Sequence, residues 1–166
     1  KVYESFFAYA NWAFVEVLRG RLRQAASLCH QVLNMAEQGD LHSEGLPVLA
    51  YAYATLSMVQ LEWNQVDLAV HAARQSVALA EEWNQADTLH YALTCLSDAL
   101  SVAGNIEEAL AVNQRSMLLA TNVSPWFVRI SAGDEILLNL AQRDITTAAR
   151  RFAEFEPMVK QRNSIS

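Results

Sequence analysis

The sequence predicts an all-α fold, an α-solenoid of about four stacked helix pairs. The first observation is a repeated turn, in which a short turn is followed by an apolar residue and, three residues later, by an alanine. It occurs four times, and its alanines, 44, 40 and 39 residues apart, are Ala25, Ala69, Ala109 and Ala148. Second, apolar residues recur at helical spacing between the turns, over stretches too long for strands. Repetition at this period is typical of stacked units that bury their apolar faces only against one another.

Length and composition favour a single domain over residues 1–166. Apolar residues make up 52% of the 166 residues and charged residues 18%, and no stretch resembles a linker. The chain begins Lys-Val-Tyr-Glu, with neither an initiator Met nor a signal-peptide pattern, so we expect a fragment of a longer protein. The expected repeats cover approximately residues 3–38, 47–84, 87–121 and 125–156.

Each repeat is expected to contain two helices. The first helices are predicted at residues 3–19, 47–63, 87–103 and 125–142, and the second helices at 21–37, 66–83, 106–120 and 144–155. Ser124 before Pro125 is typical of a capped helix start, and Asn105 with Glu108 three residues later predicts a reciprocal capping box. Gly133 interrupts the seventh helix, so the fourth pair is expected to be the least regular.

The turn motif has a packing explanation. Gly20 and Gly104 adopt a left-handed conformation at little cost, and Asn64 does so at modest cost. A small residue lies seven positions before the first three turns, and these residues are Ala13, Ser57 and Ser97. Opposite the alanine of the turn, each would allow two helices to cross closely. The fourth copy has Ile136 and Arg143 instead, so we interpret it as degraded.

Charge and cysteine usage exclude several functions. The net charge of −6 leaves no basic footprint for nucleic acid, and Arg19, Arg21 and Arg23 are interpreted as a solvated turn. No run of 18 apolar residues exists to span a membrane. Cys29 and Cys95 are expected to be buried, unpaired thiols, as in a reducing compartment such as the cytoplasm.

No residue pattern indicates catalysis or a cofactor. Cys29 and His30 are adjacent on a helix and point in different directions, while His42, His71 and His90 have no partner at ligand spacing, so no metal site is expected. His90 is expected to be a partly exposed helical histidine. No serine has a nucleophile context and no carboxylate pair is placed for acid–base chemistry, so we expect a protein that is not an enzyme.

The first helices are expected to line a concave groove. Phe7, Tyr51, Tyr91 and Ile130 occupy equivalent positions in the four repeats. The next two turns of these helices add further groove positions: Ala10, Ala54, Thr94 and Gly133, then Phe14, Met58, Asp98 and Leu137. The candidate ligand or partner residues are Tyr51, Met58, Tyr91, Thr94 and Asp98. They would suit a ligand with an apolar face and hydroxyls, such as a sugar ring stacked on tyrosine. The alternatives are core aromatics and plain solvent exposure of Asp98, whose carboxylate lies among leucines.

Two identical four-residue strings, Glu62–Gln65 and Glu82–Gln85, lie 20 residues apart, which is half the repeat period. One is expected to end a first helix and the other a second helix. Each combines an amphipathic Trp with an Asn that tolerates a turn. The alternative is a paired-aromatic binding motif.

The order of small residue, turn and Gly-Asn-Ile-x-x-Ala resembles a tetratricopeptide repeat (TPR), and residues 104–109 match it best. HEAT-type repeats have this period too and are the alternative, but the Gly-Asn turn and the matched small residues favour the tetratricopeptide interpretation. Residues 61–69, 103–110 and 140–149 are similar to phrases in the sensor domain of MalT-like proteins, the large ATP-dependent LuxR-type bacterial regulators. The resemblance covers roughly residues 14–156. It implies a right-handed superhelix of elongated TPR-like helix pairs that binds an effector, between a nucleotide-binding domain and a helix-turn-helix.

The leading hypothesis from the sequence is therefore a sensor module of a cytoplasmic transcriptional regulator. Its partners would be a small-molecule effector or a regulatory protein, with self-association of the parent protein, and with ATP and DNA bound elsewhere in the parent chain. This segment has no phosphate-binding loop and no basic recognition helix. The alternative is a generic TPR scaffold that binds a peptide or helix of another protein.

Overall fold

A computed structural model describes residues 2–37 and 46–160 of the chain. This part contains eight α-helices and no strand. The helices are α1 (Val2–Leu18), α2 (Leu22–Glu37), α3 (Leu46–Glu62), α4 (Val66–Trp83), α5 (Ala86–Val102), α6 (Ile106–Val123), α7 (Pro125–Ala141) and α8 (Ile145–Lys160). All eight predicted helices are present, and the all-α solenoid fold is confirmed. Residues 39–45, which lie between the second and third predicted helices and include His42, are outside the described residues.

The helices stack as consecutive pairs. Each odd-numbered helix packs against the even-numbered helix that follows it, and each even-numbered helix packs against the next odd-numbered one. The odd-numbered helices α1, α3 and α5 also pack side by side, so they form one continuous wall, which we call the odd-helix face. The contact between α5 and α7 is much sparser than that between α3 and α5. The wall therefore opens between the third and fourth pairs.

A left-handed residue ends the first helix of every pair. Gly20 (φ 72°), Asn64 (φ 57°), Gly104 (φ 81°) and Arg143 (φ 62°) all have positive φ. The next residue's amide then donates to the carbonyl five positions back, with N···O distances of 2.8, 2.8, 2.9 and 2.9 Å for Arg21, Gln65, Asn105 and Asp144. This is the hydrogen bond of the Schellman motif, and it satisfies a carbonyl that the helix end would leave without a partner. Arg143 adopts the conformation without being Gly or Asn, so the fourth turn is intact despite its divergent sequence.

The predicted contact between small residues is present and includes a hydrogen bond. Ser57 Oγ donates to the carbonyl oxygen of Ala69 at 2.9 Å, and Ser97 Oγ donates to that of Ala109 at 3.1 Å. Both serines and both alanines are at most 1% exposed. A side chain larger than serine would push the helices apart at this crossing, which explains why the register keeps small residues. The same positions contribute to an alanine-rich core that continues from pair to pair.

The predicted capping box at the start of α6 is wrong. The side chain of Asn105 makes no capping hydrogen bond. The amide that Glu108 was expected to bind, that of Asn105, already donates to Leu100 in the Schellman bond. Glu108 instead pairs with Arg74 of α4 at 2.8 Å. The predicted cap at Ser124 is correct, because its hydroxyl accepts from the Trp126 amide at 3.2 Å, ahead of Pro125 in the first turn.

The fourth pair is more regular than its sequence suggests. Helix α7 runs through Gly133 without interruption, and α8 begins with a cap that the sequence analysis did not identify: Asp144 accepts from the Thr147 amide at 3.0 Å. Asn84 (φ 55°) ends α4 as Asn64 ends α3, so both copies of the Glu-Trp-Asn-Gln string end helices.

His90 is buried, not partly exposed as predicted. It is 2% exposed, its ring stacks on that of Phe127 at 4.3 Å between centroids, and its Nε2 lies 3.1 Å from Ser131 Oγ. Ser131 Oγ also lies 3.2 Å from Ser116 Oγ, and Asn113 donates to the Ser131 carbonyl. Burial lowers the pKa of His90. This polar network holds the N-terminal half of α7 against α5 and α6.

The turn geometry predicts opposite effects of two substitutions. Gly104→Ala should lower the free energy of unfolding by about 1 kcal/mol, because alanine is strained at positive φ. Arg143→Gly should raise it by about 0.5 kcal/mol, because it removes that strain. The measurement is chemical denaturation. A Cβ added at either Gly104 or Gly133 meets no atom within 4 Å, so Gly133→Ala, inside α7, is the matched control.

The control should be stabilised by roughly 0.5–1 kcal/mol, because alanine favours helix over glycine. If Gly104→Ala and Gly133→Ala changed stability in the same direction, the role given to the left-handed turn would be wrong.

Candidate functional site

The predicted groove tyrosines, Tyr51 and Tyr91, stack on each other on the odd-helix face. The rings of Tyr51 (α3) and Tyr91 (α5) stack with centroids 4.5 Å apart, and Phe14 meets Tyr91 edge-on at 5.8 Å. The Tyr91 hydroxyl donates to Met58 Sδ at 3.2 Å and lies 3.4 Å from Thr55 Oγ1. These residues join three helix pairs, so Tyr51, Met58 and Tyr91 have a packing role. Both tyrosine side chains remain partly exposed.

Burial keeps these phenols neutral. It raises the pKa of Tyr51 above its ordinary value, with smaller contributions from Cys95 and Asp87. It raises the pKa of Tyr91 well above its ordinary value, and the Thr55 hydrogen bond only partly opposes this effect. The two neutral, partly exposed rings offer apolar contact on the odd-helix face, and no charge.

The opening between α3, α5 and α7 forms a cavity of about 440 Å³, which we call the interhelix cavity. Its lining consists of Leu61, Glu62, Asp98, Ser101, Val102, Asp134, Leu137 and Leu138. Three carboxylates therefore share a space with leucine and valine side chains. The volume lies within the range of small-molecule sites, roughly 300–1,000 Å³. Of the five predicted site residues, only Asp98 lines the cavity.

Three side-chain oxygens in the described residues are buried without a hydrogen-bond partner: Gln60 Oε1, Thr94 Oγ1 and Asp134 Oδ2. Of these three residues, only Asp134 lines the interhelix cavity. Thr94 lies one helical turn before Asp98 and so on the same side of α5. A buried polar atom without a partner costs about 1–3 kcal/mol. Native proteins leave few such atoms, and those that remain often have a functional reason.

The surroundings raise the pKa of both aspartates. Asp98 is exposed, as the alternative of solvent exposure predicted, yet desolvation by the surrounding side chains raises its pKa to about 6. Burial raises the pKa of Asp134 to about 7, and the negative charge of Asp98 adds to the increase. The Asp98 carboxylate is thus close enough to influence the ionisation of Asp134. Near neutral pH the cavity holds negative charge that the protein does not neutralise.

Sequence reasoning missed Asp134 and Glu62. The register placed Gly133, not its neighbour, on the groove side of the seventh helix, and it placed no residue of the Glu62–Gln65 string there. The available signal was the one that identified Asp98, a carboxylate in an apolar stretch of a first helix. The side chain of Phe7, the first residue of the aromatic row, is outside the described part of the structure.

The remaining charged groups near the first turn have structural roles. Arg19 and Arg21, interpreted from sequence as solvated, both pair with the buried Glu16 at 3.2 and 3.5 Å. The Trp12 indole also donates to Glu16, and this bond is the main reason why the pKa of Glu16 is lowered. These residues close the end of α1.

Both cysteines are free thiols inside the fold. Cys29 and Cys95 are buried, and burial raises the pKa of the Cys29 thiol to about 12. Among residues 2–37 and 46–160, no group of three His, Cys, Asp or Glu side chains could hold a metal ion. In the same residues, no helix has the length and apolarity needed to cross a membrane.

A second cavity of about 510 Å³ lies between α7 and α8, and we call it the terminal cavity. It is lined by Arg129, Ala132, Gly133, Ile136, Leu137, Phe152, Phe155 and Glu156. This lining is mainly apolar, and Phe152 is 57% exposed. The terminal cavity is suited to an apolar side chain or helix rather than to a polar ligand.

Comparison with known families confirms the resemblance that the repeats indicate. The family model described as "MalT-like TPR region" matches residues 4–166, which is nearly the whole chain. No curated protein matches the chain.

The raised pKa of Asp134 predicts a pH-dependent effect of Asp134→Asn. A carboxyl whose pKa is raised in the folded state destabilises the fold when it is ionised. The variant should therefore be more stable than the wild type at pH 8, by about 1–3 kcal/mol after allowance for solvent access. The difference should be constant above about pH 7 and disappear as the pH falls towards 3.8, where Asp134 becomes protonated in both states.

The measurement is urea denaturation at several pH values, with the exposed Glu82→Gln as a charge-matched control. His90 acts in the opposite direction, because its lowered pKa makes the fold less stable as the pH falls through its ordinary value of 6.5. That contribution cancels in the difference between variant and wild type. A difference independent of pH would contradict the prediction.

Proposed function

The chain belongs to the family of MalT-like TPR regions, and from this premise we propose that it is the effector-binding sensor module of a bacterial transcriptional regulator of the LuxR type. Membership makes it a regulatory TPR domain. The finer proposal is that a small-molecule effector binds the odd-helix face at the interhelix cavity. ATP and DNA would be bound elsewhere in the parent chain, in the cytoplasm, and this segment would catalyse no reaction.

One observation carries the proposal: Glu62, Asp98 and Asp134 line the interhelix cavity, and none of them forms an ion pair within the described part of the chain. The buried serines Ser57, Ser97 and Ser131, by contrast, all make hydrogen bonds. A ligand that donated hydrogen bonds to the cavity carboxylates would offset part of the cost of holding them beside leucine and valine side chains. The partly exposed edges of Tyr51 and Tyr91 lie on the same face and extend the available apolar contact.

The position of the cavity suggests how binding would be transmitted. Helix α7 is held to α5 through His90 and Ser131 near its N-terminal end, while the cavity separates the two helices further along. A ligand that contacts both Asp98 and Asp134 would favour one spacing of α5 and α7, and hence one curvature of the stack. It would shift that equilibrium only by its differential affinity for the two curvatures. Self-association of the parent protein would then respond to the preferred curvature.

A generic TPR scaffold that binds a peptide or helix is the second candidate, and the terminal cavity favours it. This cavity is more apolar than the interhelix cavity and has an exposed phenylalanine at its rim. An amphipathic helix would bury apolar side chains there. The two candidates place the bound partner in different cavities, which share Leu137 of α7.

A binding screen separates the two functions. The chain is screened by thermal shift against sugars, amines, amino acids, organic acids and short helical peptides, and hits are mapped by amide chemical shifts. For the sensor function we expect a small-molecule hit that perturbs α5 and α7 and weakens at least tenfold in Asp98→Ala, since a central contact is worth at least about 1.4 kcal/mol.

Phe152→Ala, in the terminal cavity, is the matched control and should leave that affinity unchanged. Peptide binding that depends on Phe152 and not on Asp98 would overturn the sensor proposal in favour of the scaffold. Small-molecule hits that are all insensitive to Asp98→Ala would show that the site is misplaced.

A further inference from the structure

We propose that His90 is a proton-controlled latch: its neutral ring holds the N-terminal half of α7 against α5, and its protonation releases α7 there. This role is independent of the proposed sensor function, because it involves no ligand. The position of the ring, its burial, its hydrogen bonds and the charges around it support this role.

His90 joins two odd-numbered helices that otherwise make little contact. Helices α5 and α7 pack far more sparsely against each other than α3 and α5 do. The ring of His90 on α5 stacks on that of Phe127 on α7, with centroids 4.3 Å apart and planes inclined by 14°. Its Nε2 lies 3.1 Å from Ser131 Oγ, one helical turn further along α7. A change at this ring therefore acts directly on the junction between α5 and α7.

The ring is shielded from water. His90 and its network partners Asn113, Ser116 and Ser131 are all at most 2% exposed. A charge in such surroundings is costly unless an opposite charge compensates it. Burial accordingly lowers the pKa of His90, and a hydrogen bond with the backbone of Phe127 opposes this effect only in part. At neutral pH the ring is therefore uncharged.

The hydrogen bonds around the ring depend on its protonation state. A neutral imidazole has one donor and one acceptor nitrogen, whereas an imidazolium has two donors. Ser131 Oγ lies 3.1 Å from His90 Nε2 and 3.2 Å from Ser116 Oγ, and its single proton serves one of them at a time. The neutral ring allows either direction of donation along this chain, because its two tautomers place the proton on different nitrogens. The charged ring allows one direction only, in which Nε2 donates to Ser131 and Ser131 donates to Ser116.

No charged side chain among the described residues pairs with His90. The causes of its lowered pKa are burial and the Phe127 backbone, with no contribution from a charged group. The charged groups of α3 to α7 either form ion pairs with one another or with α8, line the interhelix cavity, lie over the Trp126 ring, or are exposed. In that order they are Arg74–Glu108, Glu81–Arg115 and Glu135–Arg151; Glu62, Asp98 and Asp134; Arg129; and Asp67, His71, Glu82, Asp87 and Glu107.

The uncharged titratable groups nearby do not compensate an imidazolium either. Tyr51, Tyr91 and Cys95 have raised pKa values, so they stay neutral over the pH range in which His90 titrates. A proton on His90 therefore places an uncompensated charge at the junction of α5 and α7. Moving α7 away lets water reach the ring and relieves this cost.

The junction should consequently weaken in acid. The closed state binds a proton at His90 less readily than an open state in which the ring has its ordinary pKa of 6.5. Opening is favoured as the pH falls below 6.5, by up to about tenfold per pH unit, and the effect levels off below the lowered pKa. Asp98 and Asp134 act in the opposite direction, because carboxyls with raised pKa values stabilise the fold as they become protonated. Their contribution cancels when the wild type is compared with a His90 variant.

The test is amide hydrogen exchange of the chain at pH 7.5 and 5.5 and at several low urea concentrations. Protection factors in α7 and α3 are compared between the wild type and His90→Phe. Phenylalanine keeps a ring against Phe127 and leaves Ser131 able to donate to Ser116, but it cannot be protonated. Relative to this variant, opening of α7 in the wild type should increase at least about threefold from pH 7.5 to pH 5.5.

A latch also predicts how α7 opens. At pH 5.5 its amides should exchange through a local opening that depends less on urea than the opening of α3, because less surface becomes exposed. His71→Gln removes an exposed histidine from α4 and is the matched control, which should behave as the wild type.

Two results would overturn the latch. One is a ratio of wild-type to variant opening that does not change with pH. The other is an equal urea dependence of α7 and α3 at pH 5.5, since His90 would then affect only global unfolding. If His90→Phe does not fold, His90→Gln replaces it with the same expectations, because glutamine offers a donor and an acceptor but does not titrate.

Discussion

Each helix pair is closed by the same hydrogen bond, which an amide donates to a carbonyl five residues earlier across a left-handed residue. The four residues concerned, Gly20, Asn64, Gly104 and Arg143, are chemically different but share a φ between 57° and 81°. The bond fixes where the second helix starts, and thereby which residues oppose one another. Ser57 and Ala69, or Ser97 and Ala109, can only meet when the turn has this length. The stacking of the pairs, and the placement of every residue on the odd-helix face, depend on it.

The fold was predictable because turns and small residues are local signals. The four alanines set the register, and the register identified the helices and the contact across each pair. Capping was less predictable. The Asn105 amide donates to the carbonyl of Leu100 in the preceding helix, so it does not bind the Glu108 side chain. His90 was misjudged for a similar reason. Its burial depends on Phe127 and Ser131, which lie in a different pair and are not adjacent in sequence.

The candidate site was only partly predictable. Helical spacing correctly grouped Tyr51, Met58 and Tyr91, but their mutual contacts make them a packing cluster that does not line the cavity. Asp98 was identified as anomalous because a carboxylate lies among leucines, and it lines the cavity. Its association with Asp134 and Glu62 follows from the sparse contact between α5 and α7. The distance between α5 and α7 is set by tertiary packing. The spacing of apolar residues within either helix therefore does not predict it. The functional account rests on this spacing, which creates both the cavity and the close approach of the two aspartates.

The most direct measurement of that account is the ionisation of Asp98 and Asp134, followed by carboxyl ¹³C chemical shifts as a function of pH in the unliganded chain. If the cavity holds two uncompensated carboxylates, they should titrate with pKa values of about 6 and 7, and replacement of Asp98 by Asn should lower the pKa of Asp134. If instead both titrated near their ordinary value of 3.8 and independently of each other, the cavity would be open to solvent. The charge argument for a ligand site between α5 and α7 would then be wrong.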